Sequence, residues 1–411
     1  MGLISLVIAF EYTFFFMLQV VVGSDERGAG MQAFNIVVFV LAMNKAMGSI
    51  MRNNTKRTWQ IIIGMAGFLV LYLLTGAMNG FGERQYQSYL LAFGVRCVPG
   101  VFCAIALANN QRYFMQMQKW LQVFVILYAI GVSIAVFTAT GSNQLNDKFT
   151  VGVNYQELSY CAAFAFNIDL YIVMFWDDIH KFRFFRSSFW RWIDIALLFL
   201  LLYCMMSGGG RGAILDIIAV TVFLIYVKRG FKLNFRVIIG AIIFITVVFI
   251  GVYIFADKTG NAGAQRLVRF FIEREDFVLD RRAMLRESAL KAFSNNPILG
   301  NGIGSIFHVA GFYSHNIFTD ILAEGGVIMI TIVALMLLNI LRSIKALIED
   351  NHGNVLIYVI FLSSFVNLLF SGYYLGEGGI WFSVAYILIS FDNIGMRKRN
   401  MRMRELQGGL G

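Results

Sequence analysis

Twelve runs of about 20 mostly apolar residues, each long enough to cross a bilayer as a helix, leave this chain few ways to fold. They lie at 3–22, 31–50, 58–77, 88–108, 119–139, 151–176, 190–206, 212–227, 237–256, 317–341, 355–371 and 376–391. With 58% hydrophobic and 14% charged residues, the chain has too little polar surface to cover such segments in water. Lipid is the expected solvent, and helices satisfy every backbone group inside it. The expectation is an all-α integral membrane protein with about 12 transmembrane helices. No basic segment precedes run 3–22, and Glu11 lies inside it, so it reads as a retained span rather than a cleaved signal.

The connecting loops alternate in charge. One set carries 20 basic residues, among them Arg52, Lys181, Arg183, Arg229, Arg342 and Arg397; the other short loops carry four, Arg27, Arg84, Lys148 and Arg211. Lys and Arg collect on the cytoplasmic side. Both termini are therefore expected in the cytoplasm, and the long polar stretch from Asp257 to Asn316 outside. The expected division is a bundle at 1–256 with about nine helices, an external segment at 257–316, about three helices at 317–391, and a basic cytoplasmic tail at 392–411. The net charge of +10 follows from these loops, so no nucleic-acid partner is inferred. Cys97, Cys103, Cys161 and Cys204 all lie in apolar runs without metal-ligand spacing, which points to buried thiols rather than zinc or disulfides.

Chemistry is expected at the external segment, which holds eight of the 34 Lys and Arg residues. Helical spacing is read over Ala264 to Glu275 and over Asp280 to Phe293, and Pro297 ends the second helix. The Gly300-Asn301-Gly302-Ile303-Gly304 run is a turn whose backbone reaches conformations closed to other residues. Arg266, Arg269, Arg282 and Arg286 lie within 21 residues. They read either as an anion-binding group or as solvated surface helices neutralised by Glu273, Glu275, Asp276, Asp280 and Glu287.

Three further constellations are candidates. Ser207-Gly208-Gly209-Gly210-Arg211-Gly212 joins two spans, where glycines would let a ligand approach the main chain and a helix N-terminus would attract an anion. Arg211 adds a forked donor suited to phosphate. His315 stands where the external segment meets a span, and histidine is the residue type suited to proton transfer near neutral pH, so it is a candidate base or an interfacial cap. Asn316, Asp320 and Glu324 follow at four-residue steps, a polar stripe that must face inward. Arg96 and Glu157 lie at matching depth, about 10 Å below the outer surface at 1.5 Å per residue. They pair, or Arg96 reaches a headgroup phosphate.

The order of these motifs resembles a known family. An arginine follows a Ser/Gly turn; Arg282 precedes Ala289-Leu290-Lys291-Ala292-Phe293; then come Pro297-Ile298-Leu299-Gly300-Asn301-Gly302, His315-Asn316 and Glu324-Gly325. Together they resemble the O-antigen polymerase and O-antigen ligase superfamily over about 207–326. Two departures are three glycines before Arg211, where a second serine is common, and Leu285-Arg286, where a tryptophan is frequent. The resemblance implies a GT-C-like membrane fold. It also implies metal-independent, cofactor-free transfer of sugars carried on undecaprenyl pyrophosphate. Arg211 and Arg282 would hold the pyrophosphate and His315 would be the base; Arg266, Arg269, Arg286, Asn316, Glu324 and Arg96 would contact substrate.

The expected function is a polysaccharide repeat-unit polymerase, making O-antigen or capsule at the outer face of a bacterial inner membrane. Membrane lipid surrounds it, and a chain-length regulator and a flippase are the protein partners such a role calls for. The nearest rival is a ligase that moves finished glycan onto a lipid A core. A rival from another class is a lipid-linked oligosaccharide transporter, which would want charged, broken helices at the midplane.

Overall fold

The computed structural model describes residues 29–52, 55–139, 155–232, 235–271 and 281–408. Among these there is no strand. Of the twelve expected spans, 3–22 lies outside the described residues; the other eleven each fall on a helix. They are α1 (Ala29–Arg52), α2 (Lys56–Asn79), α3 (Arg84–Ala108), α4 (Gln111–Ala139), α5 (Tyr155–Met174), α6 (Ser188–Gly208), α7 (Arg211–Lys228) and α8 (Phe235–Thr259). Two short helices follow, α9 (Ala262–Phe271) and α10 (Arg281–Asn295), then the single-turn α11 (Ser305–Ala310). The chain returns through α12 (Ile317–Asp350), α13 (Val355–Phe370) and α14 (Gly378–Gly408). Eight of these helices are long and apolar enough to cross a membrane among the described residues.

Boundaries differ from expectation where a helix continues past its apolar run. α12 has 34 residues, about 51 Å at 1.5 Å per residue. α14 runs to Gly408, so most of the basic 392–411 segment continues a helix, pinned by Arg397 Nη2 on Asp350 Oδ2 at 2.9 Å. The helix expected over Ala264 to Glu275 is α9, and Glu273, Glu275, Asp276 and Asp280 lie outside the described residues. All four cysteines are free and buried.

α12 is broken at Gly326, whose φ of 58° and ψ of −157° are not helical. The break strips Ala323 O and Glu324 O of their helical donors, and Val327 N and Ile328 N of their helical acceptors. The 296–302 turn replaces each of them. Asn301 N and Gly302 N donate to Ala323 O and Glu324 O at 3.0 and 2.8 Å; Val327 N and Ile328 N donate to Pro297 O and Ile298 O at 2.9 and 3.3 Å. Asn301 Nδ2 adds bonds to Ala292 O at 2.9 Å and to Ala323 O at 2.8 Å. The approach is close enough to demand glycine: a Cβ on Gly300 would lie 2.3 Å from Glu324 C, and one on Gly326 2.4 Å from Ile298 O.

The same turn docks on α2 and α3. Gly304 sits against Tyr72 and Tyr86, and Gly302 against Thr75. The two tyrosines lock the helices reciprocally: Tyr72 Oη donates to Tyr86 O at 2.7 Å, and Tyr86 Oη donates to Tyr72 O. The polar segment is thus seated on one end of the bundle, called the loop end below.

At the opposite end, Lys181 is buried, with Nζ over the Trp176 ring and donating to Trp176 O. Burial lowers its pKa from 10.5 to about 8, against the opposing pull of Asp194. The folded state therefore binds this proton less tightly than the unfolded chain, and stability rises with pH across that interval. Unfolding midpoints in detergent are expected to climb between pH 8 and 10.5, and Lys181→Met to flatten the climb. Separately, Gly326→Ala is expected to destabilise by about 2 kcal/mol or more, from the left-handed backbone alone, and Asn301→Ala by about 1–3 kcal/mol, both read by thermal unfolding.

Candidate functional site

The site is built on the last carbonyls of α13. A helix C-terminus ends in orphan carbonyls that carry partial negative charge. Three of the sequence-derived residues take them in order. Asn316 Nδ2 donates to Leu369 O at 3.4 Å, Arg282 Nη1 donates to Phe370 O at 3.1 Å, and His315 Nδ1 lies 3.2 Å from Ser371 O. Arg282 Nη2 also donates to Gln156 Oε1 on α5 at 2.9 Å. Arg282, His315 and Asn316 are therefore held at one point, although up to 34 residues separate them in sequence.

His315 is half-buried, and its backbone φ of 62° lies in the left-handed region, which is rare without glycine. Two interactions hold it there. Asn316 caps α12, its side chain accepting from Phe318 N at 3.0 Å and Thr319 N at 3.3 Å. The imidazole rests on Tyr313, with ring centroids 4.5 Å apart. Strain of this kind is held by the surroundings and clusters at functional sites.

Arg211 is the first residue of α7 and is half-buried at the same end. Its glycine turn works differently from the expectation of an open main chain, because the protein's own atoms fill the space. Gly209 lies against Gly263, where a Cβ would meet Gly263 O at 2.5 Å. Gly210 N donates to Ser159 Oγ at 2.8 Å. A Cβ on Gly212 would fall 1.8 Å from Tyr160 Oη and 2.9 Å from Phe370 Cβ. The glycines let α5, α9 and α13 close on the α7 N-terminus. That closure brings the first turn of α7, which begins with Arg211, against Phe370, whose carbonyl accepts from Arg282.

The inward stripe of α12 is confirmed. Asp320 is fully buried and accepts from Ser314 N at 2.8 Å. Glu324, 1% exposed, accepts from Tyr373 Oη at 2.6 Å and from Tyr374 Oη. Burial and then the Glu324 charge push both phenols well above their ordinary pKa, so they remain donors. Glu324 was expected to contact substrate; both of its oxygens are instead taken by these tyrosines, which clamp the α13–α14 connection onto the α12 break. Tyr373 and Tyr313 continue into an aromatic wall with Tyr89 and Phe307.

The other candidates are dispersed. Arg286 is exposed, and its Nε donates to Arg282 O on its own helix at 3.3 Å. Arg266 is half-buried on α9, and Arg269 is exposed one turn on, in a groove against α8. Arg96 lies in a π-helical turn of α3, Phe93–Cys97, a distortion frequent at functional sites. Its carbonyl lies 3.3 Å from where a Cβ on Gly378 would be. Sequence reading missed Glu377, next to that glycine. Burial raises the Glu377 pKa, while hydrogen bonds from Ser364 Oγ (3.1 Å) and Asn367 Nδ2 (3.2 Å) and then the Arg96 charge pull it back. It is the one acidic residue between Ser371 and Ser390, a signal open to detection. Gln156 as the Arg282 partner had no such signal.

An apolar groove of about 400 Å³ runs between α4 and α6, lined by Ile130, Ile134, Phe137, Leu197 and Leu200 among others. Among the described residues no three His, Cys, Asp or Glu side chains gather as a metal site would require. Tyr373→Phe combined with Tyr374→Phe is expected to destabilise by about 2 kcal/mol or more by removing both phenol donors from the buried Glu324 carboxylate. Thermal unfolding in detergent would measure this.

No curated protein and no solved structure matches the chain. Residues 196–334 match the O-antigen ligase family (Wzy_C), a third of the chain that runs from α6 through the break in α12. That segment contains Arg211, Arg266, Arg269, Arg282, Arg286, His315, Asn316 and Glu324, so the stretch that carries these residues is similar to the O-antigen ligase family.

Proposed function

We propose that the protein polymerises oligosaccharide repeat units carried on undecaprenyl pyrophosphate, at the outer face of a bacterial inner membrane. One observation carries this reading: Arg282, His315 and Asn316 meet on the terminal carbonyls of α13, beside Arg211 at the start of α7. Two guanidinium groups at a bilayer surface suit a diphosphate, which each can bind with paired donors. The excess of Lys and Arg in the opposite set of loops supports an outward-facing loop end, with both termini in the cytoplasm. The α4–α6 groove is apolar along its length and suits the polyprenyl chain.

The transfer breaks the bond between the sugar C1 and the pyrophosphate oxygen and forms one from C1 to the acceptor hydroxyl oxygen. Negative charge grows on the departing pyrophosphate, where Arg211 and Arg282 stabilise it. The hydroxyl proton passes to His315. With Nδ1–H donating to Ser371 O, Nε2 carries the lone pair that accepts it. Ligation of finished glycan to a lipid A core is the second reading, favoured by the description of the matched family.

Purified protein given lipid-linked repeat units in EDTA is expected to yield a ladder of products; a single transfer to lipid A core would instead establish the ligase. Arg211→Ala and Arg282→Ala are each expected to cut turnover by about 10²-fold or more, with the protein still inserted. Wild-type chain lengths from both variants would refute the pyrophosphate assignment. His315→Ala is expected to lose about 10²–10⁴-fold.

A further inference from the structure

We infer that the groove between α8 and α9 is a glycan subsite, holding sugar rings of the substrate away from the pyrophosphate. The inference rests on the proposed function for its choice of substrate. The groove is lined by Tyr253, Ala256 and Asp257 of α8 and by Gln265, Val268 and Arg269 of α9. Its volume of about 250 Å³ is just below the roughly 300 Å³ at which small-molecule pockets begin, the room a mono- or disaccharide needs.

The chemistry of the lining selects a neutral polyol. Tyr253 is 53% exposed and offers an aromatic face to the C–H face of a pyranose. Gln265 donates and accepts, Arg269 donates, and Asp257 accepts from hydroxyls. Asp257 lies 3.7 Å from Lys258 Nζ, and the groove lining itself holds one carboxylate and one guanidinium, without net charge. The groove therefore differs in kind from the cationic centre at Arg211 and Arg282, and it gives Arg269 a task other than binding pyrophosphate.

Rigidity and position fit that task. Gln265 and Arg269 stand four residues apart on one face of α9, while Ala264 and Leu267 are buried on the other. Gly263 presses on the last turn of α6, where a Cβ would lie 2.2 Å from Ser207 O. The helix that carries the groove is thus fixed to the glycine turn that carries Arg211. From Gly263 to Arg269 is about 9 Å along the helix, so a glycan extending from a pyrophosphate at Arg211 reaches the groove within a few rings. A hydroxylated lipid headgroup shares this chemistry and is the competitor to separate.

The test uses the full-length protein in detergent and, as probe, the oligosaccharide released by mild acid from the host's own lipid-linked repeat unit, which carries neither lipid nor phosphate. Saturation-transfer NMR and tyrosine fluorescence read its binding. Wild type is expected to bind it, Tyr253→Ala and Gln265→Ala to weaken it at least tenfold, and Arg211→Ala to keep wild-type glycan affinity. Both groove residues are exposed, and unchanged unfolding midpoints certify the fold of the variants. Absence of binding by wild type, or equal binding by both groove variants, overturns the subsite. Displacement of the oligosaccharide by phosphatidylglycerol in nanodiscs shows a headgroup seat and overturns it too. These outcomes are separable from failure of the proposed function, which would show as no polymer from lipid-linked substrate even when the free glycan binds at the groove.

Discussion

A break in one membrane helix organises the rest of the molecule. A transmembrane helix can lose a turn of its hydrogen bonding only where other protein groups replace it, because lipid offers no partners and each orphan costs several kcal/mol. At Gly326 the replacement is complete: the two carbonyls and two N–H groups released by the break are met by four backbone groups of the 297–302 turn. That exchange fixes the polar segment in register against α12. It also aims the upper half of α12 so that Asp320 and Glu324 face the core and Asn316 and His315 reach α13. Glycines at 300 and 326 are required by distance, since a side chain at either would strike the partner backbone.

The second organising element is electrostatic. The end of α13 presents carbonyl oxygens with partial negative charge, and cationic or N–H-bearing side chains gather there. Arg282 arrives from a surface helix; His315 and Asn316 arrive from the head of α12. The α7 N-terminus, with its opposite partial charge, closes on the same place through Gly212, Tyr160 and Phe370. A helix start that carries Arg211 and a helix end that holds the Arg282 guanidinium thus meet. Such a place suits an anionic, membrane-anchored leaving group without requiring any single side chain to carry the whole interaction.

Much of this was legible in the residues. Apolar runs of bilayer length can only be helices in lipid, so eleven expected spans fall on helices. The four-residue spacing of Asn316, Asp320 and Glu324 required an inward face, and the structure places the last two in the core. The four-arginine group is different. Spacing along α9 and α10 could not say whether those helices share a partner, and the structure sends Arg282 to α13, Arg269 to a groove beside α8, and leaves Arg286 on its own helix. The glycines before Arg211 read as openings for a ligand; in the structure Gly209 packs on the Gly263 backbone and Gly210 on the Ser159 side chain.

The sequence alone determined the solvent, the element type, and which segment stands out of the membrane pattern, because hydropathy and charge act locally and need no knowledge of neighbours. Only the tertiary structure decided which polar groups meet. Partners such as Gln156 with Arg282, Ser159 with Gly210, and Tyr373 and Tyr374 with Glu324 lie 49 to 126 residues apart. Their pairing follows from how helices pack and break, a property of the assembled bundle that no single stretch of chain contains.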